Sequence, residues 1–313
     1  MAGYESWYLK ASHPTEPLGV WIRYTTHERP GEPEQGSLWF TLFGPEPQAA
    51  KVTPGPEALS RGDGAFIRIG DSEFADGRVS GSALDARWDL TFEGGGPELR
   101  HLPREWMYRA PVPRTKLVSP FPAARFSGQV TFGERTVALD GWPGMVGHNW
   151  GTQHAERWIW MHATSFEGRG LDTWLDVAIG RIKVGPWTVP WVANGVLSIA
   201  GERHRIGGIE RTRATRIDSQ PDRCRFTLPG PELAVTGEAW APRERFVGFL
   251  YADPDGSEHN VVNCSIASMW LEVARSGAPA APPLRLTTSS GAAYELGMRE
   301  TSHGIPIQPF ADG

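Results

Sequence analysis

Apolar and polar residues alternate with period two along most of the chain, and no segment sustains a helical period. Gly19 to His27 (GVWIRYTTH) and Ser37 to Phe43 (SLWFTLF) predict strands joined by a loop rich in Pro, Gly and Glu. The same pattern predicts strands over 86–92, 129–132, 157–166, 173–179, 192–199, 225–228, 233–239, 245–252, 260–273, 284–288 and 293–299. Asp253-Pro254-Asp255-Gly256 falls between two of these and predicts a hairpin turn. One short helix, over 104–108, is the most the pattern allows. Glycine (37) and proline (27) are frequent enough to punctuate many short strands. The fold class is therefore all-β, with antiparallel sheets.

Landmarks recur along the chain at a nearly constant offset. LTFEGGGPEL from Leu90 and FTLPGPEL from Phe226 set Thr91 and Thr227 136 residues apart. Trp21-Ile22 matches Trp158-Ile159 at 137, Gly36 matches Gly170 at 134, and Gly44 matches Gly180 at 136. PGMVGHNWG from Pro143 resembles LGMRETSHG from Leu296. These matches predict an internal duplication with halves 1–155 and 156–313. Each half holds enough strands for an antiparallel meander that closes around one small ligand.

Composition narrows the partners. An apolar share of 40% supports a substantial core, and Trp 14 suggests aromatic-lined cavities. A net charge of −5 argues against nucleic acid as a partner. The locally basic stretch Arg203 to Arg225 reads as a solvated strand face. Cys224 and Cys264 form neither a disulfide framework nor a metal-ligand spacing. The start, MAGYESWYLKASHP, lacks the basic and apolar regions of a signal peptide, and no apolar run approaches membrane-spanning length. A cytoplasmic protein without stable membrane insertion is expected. No pattern here speaks to oligomeric state.

The densest polar-aromatic cluster is Gly147-His148-Asn149-Trp150-Gly151-Thr152-Gln153-His154, followed by Arg157-Trp158-Ile159-Trp160-Met161-His162. It lies where the first half meets the second. Trp158, Trp160, His162 and Thr164 share one strand face, and Ile159, Met161 and Ala163 share the other. His148 is expected in a Gly-flanked loop, suited to a positioned group. On the next strand Asp172, Trp174 and Asp176 share a face. If Asp176 points into a Trp-lined cavity, burial should raise its pKa and make it a general acid. The bland alternative is that the tryptophans and His162 are core and the acids are solvated. Val184 to Ala193 (VGPWTVPWVA) suggests a stiff aromatic loop over a barrel mouth, or an ordinary connection with buried rings.

His148, His154, His162 and Asp176 match no standard ligand spacing, so no metal is expected. GxSxG, P-loop and strand-to-helix GxGxxG motifs are missing, and Gly94-Gly95-Gly96 runs into Pro97 as a turn. No cofactor is expected.

The His148-Asn149-Trp150-Gly151 segment, the Trp158-x-Trp160 strand and Trp174-Leu175-Asp176 together resemble a known group. It is the lipocalin-like superfamily of carotenoid 1,2-hydratase, AttH-type proteins, tocopherol cyclase and the lipocalin-like Diels–Alderases. The resemblance implies two tandem lipocalin-like β-barrels and a glutamate (Glu300) on the final strand. In the hydratases the His and Trp of this motif act with a Tyr-x-Asp on a following strand. Carried over, that implies His148, Trp150, Trp174 and Asp176. This chain departs at Gly147, where an acid is usual, and at Trp174, where the family has tyrosine.

The leading expectation is an enzyme that hydrates or cyclises a hydrophobic, unsaturated small molecule of isoprenoid or polyketide type. Asp176 would donate a proton with help from His148. Asn149, Trp150, Trp158, Trp160, His162 and Trp174 would line the substrate site, the indole faces stabilising cationic charge. A non-catalytic carrier or sensor would bind the same ligand unchanged. A cofactor-free pericyclase would need the pocket's shape but not the acid at 176.

Overall fold

A computed structural model of the chain describes residues 2–62, 64–181, 183–184, 187–276 and 282–310. Among these residues the helical segments are short 3-10 turns, and Glu105–Tyr108 is the one expected over 104–108. No helix among them is long and apolar enough to cross a membrane.

Two large antiparallel sheets account for most of the chain. The first has twelve strands and spans residues 3–151. At its centre the first strand, Gly3–Ser12, pairs with the last, Arg135–Gly151. On one side follow Gly19–Glu28, Gln35–Phe43 and Gln48–Val52. On the other follow Thr115–Phe132, Ala86–Glu93, Arg78–Ala83, Ser72–Ala75, Ala65–Ile69 and Leu59–Gly62. The second sheet has ten strands and repeats this order, with its first strand Arg157–Ala163 against its last, Leu284–Met298. Trp174–Arg181, Val192–Ile199 and Glu202–Gly207 flank one side, and Glu258–Arg275, Leu233–Trp240, Arg223–Pro229 and Arg216–Gln220 the other. Among the described residues the chain is thus all-β, with two large sheets and a small two-stranded one, Lys183–Val184 paired with Trp187–Thr188.

The repeat is one strand out of step with the sequence match. Trp21 lies on the second strand of the first sheet, whereas Trp158 lies on the first strand of the second. Thr91 lies on Ala86–Glu93, whose topological counterpart is Leu233–Trp240 and not the Thr227 strand. Period-two strands resemble one another, so a neighbouring hairpin aligns as well as the true equivalent.

The first sheet curls around its own core. Trp88 reaches across to donate its indole N–H to the Tyr24 hydroxyl at 2.9 Å and stacks on Phe40 at 5.6 Å. The edge strands Gln48–Val52 and Leu59–Gly62 are not hydrogen-bonded to each other, so the barrel is partly open. The second core takes in the inward side chains of Arg157–Ala163 and Trp174–Arg181, including Ile159, Met161, Leu175 and Val177. It also takes in Trp21, Trp39 and Phe43 from the outer face of the first sheet.

Prolines shape the surface between the sheets. Thr115–Phe132 contains Ser119-Pro120-Phe121-Pro122, and its register against Arg135–Gly151 slips between Val118 and Phe121 and again before Ala124. Proline cannot donate to the ladder, so the strand bulges there and re-aims its neighbours. The Pro122 carbonyl then accepts the His162 Nε2–H at 2.9 Å. In the second sheet Glu258–Arg275 slips between Cys264 and Ala267, and the Ser265 carbonyl accepts the Ser12 hydroxyl at 3.0 Å. Each central strand therefore reaches into the other sheet's bulge.

Candidate functional site

The seam between the sheets holds the densest set of buried polar groups. From the second sheet Trp160, His162, Trp174 and Asp176 face it, and all four are buried. From the first come Tyr8, Lys10 and Ser119, with His101 from the loop after Leu99–Arg100. Trp160 packs with Tyr8, Met145 and Ala293, and Trp174 packs with Leu99, Ala123 and Val196. The side chains of Ile159, Met161, Leu175 and Val177 point the other way, into the second core. Strand alternation thus delivers Trp160, His162, Trp174 and Asp176 to one surface.

Asp176 is the centre of this set. Its carboxylate accepts the Ser119 hydroxyl at 2.5 Å and the Trp160 indole N–H at 3.1 Å. His101 Nε2 lies 3.5 Å from the same carboxylate and 3.3 Å from Ser119 Oγ, while His101 Nδ1 meets the Asn194 carbonyl at 3.1 Å. Burial alone would push the Asp176 carboxyl up, as the sequence suggests. The charge and hydrogen bond of His101, with His162 and Ser119 behind them, hold it below its ordinary value instead. Asp176 is therefore an ionised acceptor and not a standing acid. Around it burial pulls His162 down to about 4 and Lys10 to about 7, and pushes the Tyr8 hydroxyl up. Such perturbed groups gather where a fold does chemistry.

His148 is elsewhere. It lies on the strand Arg135–Gly151, not in a loop. It points into the first barrel, on the opposite face from Met145 and Gly147, so Asp176 and His148 are separated by the sheet. Its ring stacks between Trp7 at 3.8 Å and Trp150 at 4.6 Å, and its Nε2–H donates to Glu5 at 2.9 Å. Burial raises the Glu5 carboxyl, but the His148 and Arg61 hydrogen bonds overcome it and bring it to about 2. Tyr4, Glu5, Thr26, Glu34, His148 and Trp150 line a cleft of about 400 Å³ open to solvent.

The remaining residues divide between these regions and a third. Asn149 alternates away from His148, and its buried side-chain oxygen has no hydrogen-bond partner. Trp158 donates its indole N–H to Glu295 at 3.0 Å and stacks on His154 at 5.1 Å. Glu295 is thus the glutamate of the last strand, while Glu300 lies beyond it and pairs with Arg157. Gly185 and Pro186 of the aromatic loop lie outside the described residues; Trp187 is exposed and Trp191 packs on the second core. His101 escapes sequence reasoning because a loop carries no periodicity. Ser119 does carry a signal, since two prolines beside it within a strand announce a bulge.

No known protein-family profile matches the chain. An uncharacterised protein of Mycobacterium tuberculosis, in strains CDC 1551 / Oshkosh and H37Rv, is 26% identical over 290 residues, or 86% of this chain and 80% of its own. Among solved structures, a candidate AttH from Nitrosomonas europaea superposes with a TM-score of 0.56 at 14% identity, covering 94% of this chain and 92% of that one. Kievitone hydratase from Nectria haematococca gives 0.54 at 9% identity, covering 94% and 89%. The chain has the two-sheet lipocalin-like fold of these proteins, the fold that its HNWG segment resembles.

Proposed function

We propose that this protein is a hydratase-type enzyme for a hydrophobic, unsaturated small molecule, with the Asp176 seam as its reaction centre. The observation that carries the reading is the convergence of Ser119, Trp160 and His101, from both sheets, on one fully buried carboxylate. A carboxylate removed from water needs a reason to stay ionised, and a proton relay supplies one. The name of kievitone hydratase, which shares the fold, supports the same class of reaction.

In this mechanism a proton on His101 Nε2, stabilised by Asp176, passes to one alkene carbon. The other carbon becomes cationic against the Trp160 and Trp174 rings. Water attacks that carbon and returns its proton to the His101–Asp176 pair, so the sum is water across one double bond. The roles differ from the sequence expectation: His101 carries the proton and Asp176 acts as its counter-charge. The segment 101–114 bears His101 and carries it to the edge of the seam. Tyr108 pins it through its hydroxyl to the Leu117 carbonyl at 3.0 Å.

The test offers prenylated and isoprenoid alkenes to the enzyme in heavy-oxygen water. Uptake of one labelled water, lost by about 10²–10⁴-fold in Asp176→Asn and His101→Gln, is the expected result. An isomer of unchanged mass would instead mark cyclisation begun by the same proton. Binding without any product, or full turnover in both variants, would sink the reading. A carrier role draws support from one observation, the open aromatic cleft at His148. It predicts that Trp150→Ala and His148→Ala abolish ligand retention while Asp176→Asn does not.

A further inference from the structure

We propose that His154, Asp253 and His259 form a binding site for a divalent transition-metal cation of the zinc class. His154 follows the last strand of the first sheet, Asp253 opens the turn after Val247–Ala252, and His259 is the second residue of Glu258–Arg275. The fold brings one donor atom from each within 4.8 Å of the others. His154 Nδ1 lies 2.7 Å from Asp253 Oδ1, and His259 Nδ1 lies 3.9 Å from Asp253 Oδ2. Zinc bonds to nitrogen and oxygen of about 2.0–2.2 Å place tetrahedral donors roughly 3–3.5 Å apart, so these separations bracket the need.

A second, independent observation points to a ligand. His259 is fully buried, and its polar neighbour besides Asp253 is the Ala155 backbone, which makes no hydrogen bond of sound geometry with either ring nitrogen. A buried imidazole left unsatisfied is costly, and a cation would satisfy it. The donor set is two imidazoles and one carboxylate, which suits zinc, cobalt, iron or nickel and not calcium or magnesium.

The surroundings hold the donors in place. Tyr4 stacks on the His154 ring at 4.2 Å with an interplanar angle of 9°, and Trp158 covers the other ring contacts. Asp253 accepts the His154 backbone N–H at 2.8 Å and the Ser257 hydroxyl at 3.2 Å. Such outer partners orient ligands. The three residues are scattered in sequence, so no spacing motif announces them. A bound cation would clamp the connection between the sheets, at 152–156, to the 253–257 turn of the second sheet.

Cobalt(II) titration of the full-length protein, stripped of metal, tests the site. The expected result is one equivalent bound, with visible d–d absorption from nitrogen and oxygen ligands and a rise in Tm. His259→Gln and Asp253→Asn should each weaken binding at least about tenfold. Glu232→Gln, in the exposed Glu202–His204–Glu232 cluster, should leave it unchanged. If a variant fails to fold, the wild-type spectrum and His154→Gln decide. A wild type with neither absorption nor Tm shift overturns the proposal. So does cobalt binding that all three ligand variants retain.

Discussion

His162 has one hydrogen bond and no room for a second proton. Its Nε2–H is taken by the Pro122 carbonyl, and its Nδ1 has no hydrogen-bond partner. Burial lowers its pKa from 6.5 to about 4, with Lys10 and His101 lowering it further and Asp176 opposing them. The unfolded chain therefore takes up a proton between pH 6.5 and 4 that the folded chain refuses. Stability falls as pH drops through that window, at most about 1.4 kcal/mol per pH unit from this one group. Below it Asp176 adds a further loss, because its folded pKa is depressed and its protonation abolishes a favourable charge. Chemical denaturation of His162→Gln across the range should show a flatter acid limb than wild type, since the glutamine amide still reaches Pro122 but does not titrate. An unchanged slope would mean that other groups control acid unfolding. The same residues show what sequence discloses at this scale. Alternation fixed that Trp160 and His162 share a face, and likewise Trp174 and Asp176. It could not say that His148 looks the other way, because that depends on the parity of a different strand. Nor could it say that Asp176 is ionised, because His101 arrives from a loop.

At the scale of strands, the two central pairs are held by aromatic rings laid on glycine. A Cβ at Gly147 would overlap the Tyr8 ring, and one at Gly297 would overlap the Trp158 indole. Tyr8 pairs with Gly147 in the first sheet, as Trp158 pairs with Gly297 in the second. Gly147→Ala and Gly297→Ala should each cost about 1–3 kcal/mol, because overpacking forces ring or backbone to move. Gly44→Ala is the contrast: its nearest neighbours stand 3.8 Å from the added carbon, so it should change stability far less. Combining Gly297→Ala with Trp158→Ala should cost less than the sum of the two single changes, because the ring that clashes is gone. Strict additivity in that cycle would show that the glycine serves some other purpose. Many strands were legible from alternation, and Val192–Ile199 matches its expected bounds. The strand Gly3–Ser12 was not, because its later positions are buried on both faces and lose the period. The Pro-bearing half of Thr115–Phe132 was hidden by its own bulges, since proline normally argues against a central strand.

At the scale of the whole molecule, the sequence suggests two tandem halves, and side chains of one enter the core of the other. Trp39 belongs to the first sheet but is fully buried in the second core. Its ring meets Phe249 edge-on at 5.5 Å and Tyr251 at 5.9 Å, and its indole N–H donates to Thr25 at 3.1 Å. Trp21 stacks on Phe249 from the neighbouring strand. Removing Trp39 therefore opens a cavity that belongs to both halves, and Trp39→Ala should cost about 3–5 kcal/mol. If the halves were independent, that loss would appear as one half melting early while the other kept its midpoint. Interlocked cores predict that probes in either sheet shift together, with the calorimetric and van't Hoff enthalpies remaining equal. Hydrogen exchange supplies the readout: amides of Ala86–Glu93 and of Leu233–Trp240, each separated from its central pair by one strand, should lose protection by the same factor in Trp39→Ala. Loss confined to one sheet would mean that the shared core is only a contact, and that the seam could open without unfolding either side. Joint loss would mean that the sheets do not part without unfolding together, so the seam around Asp176 opens only through its loops, among them the 101–114 segment.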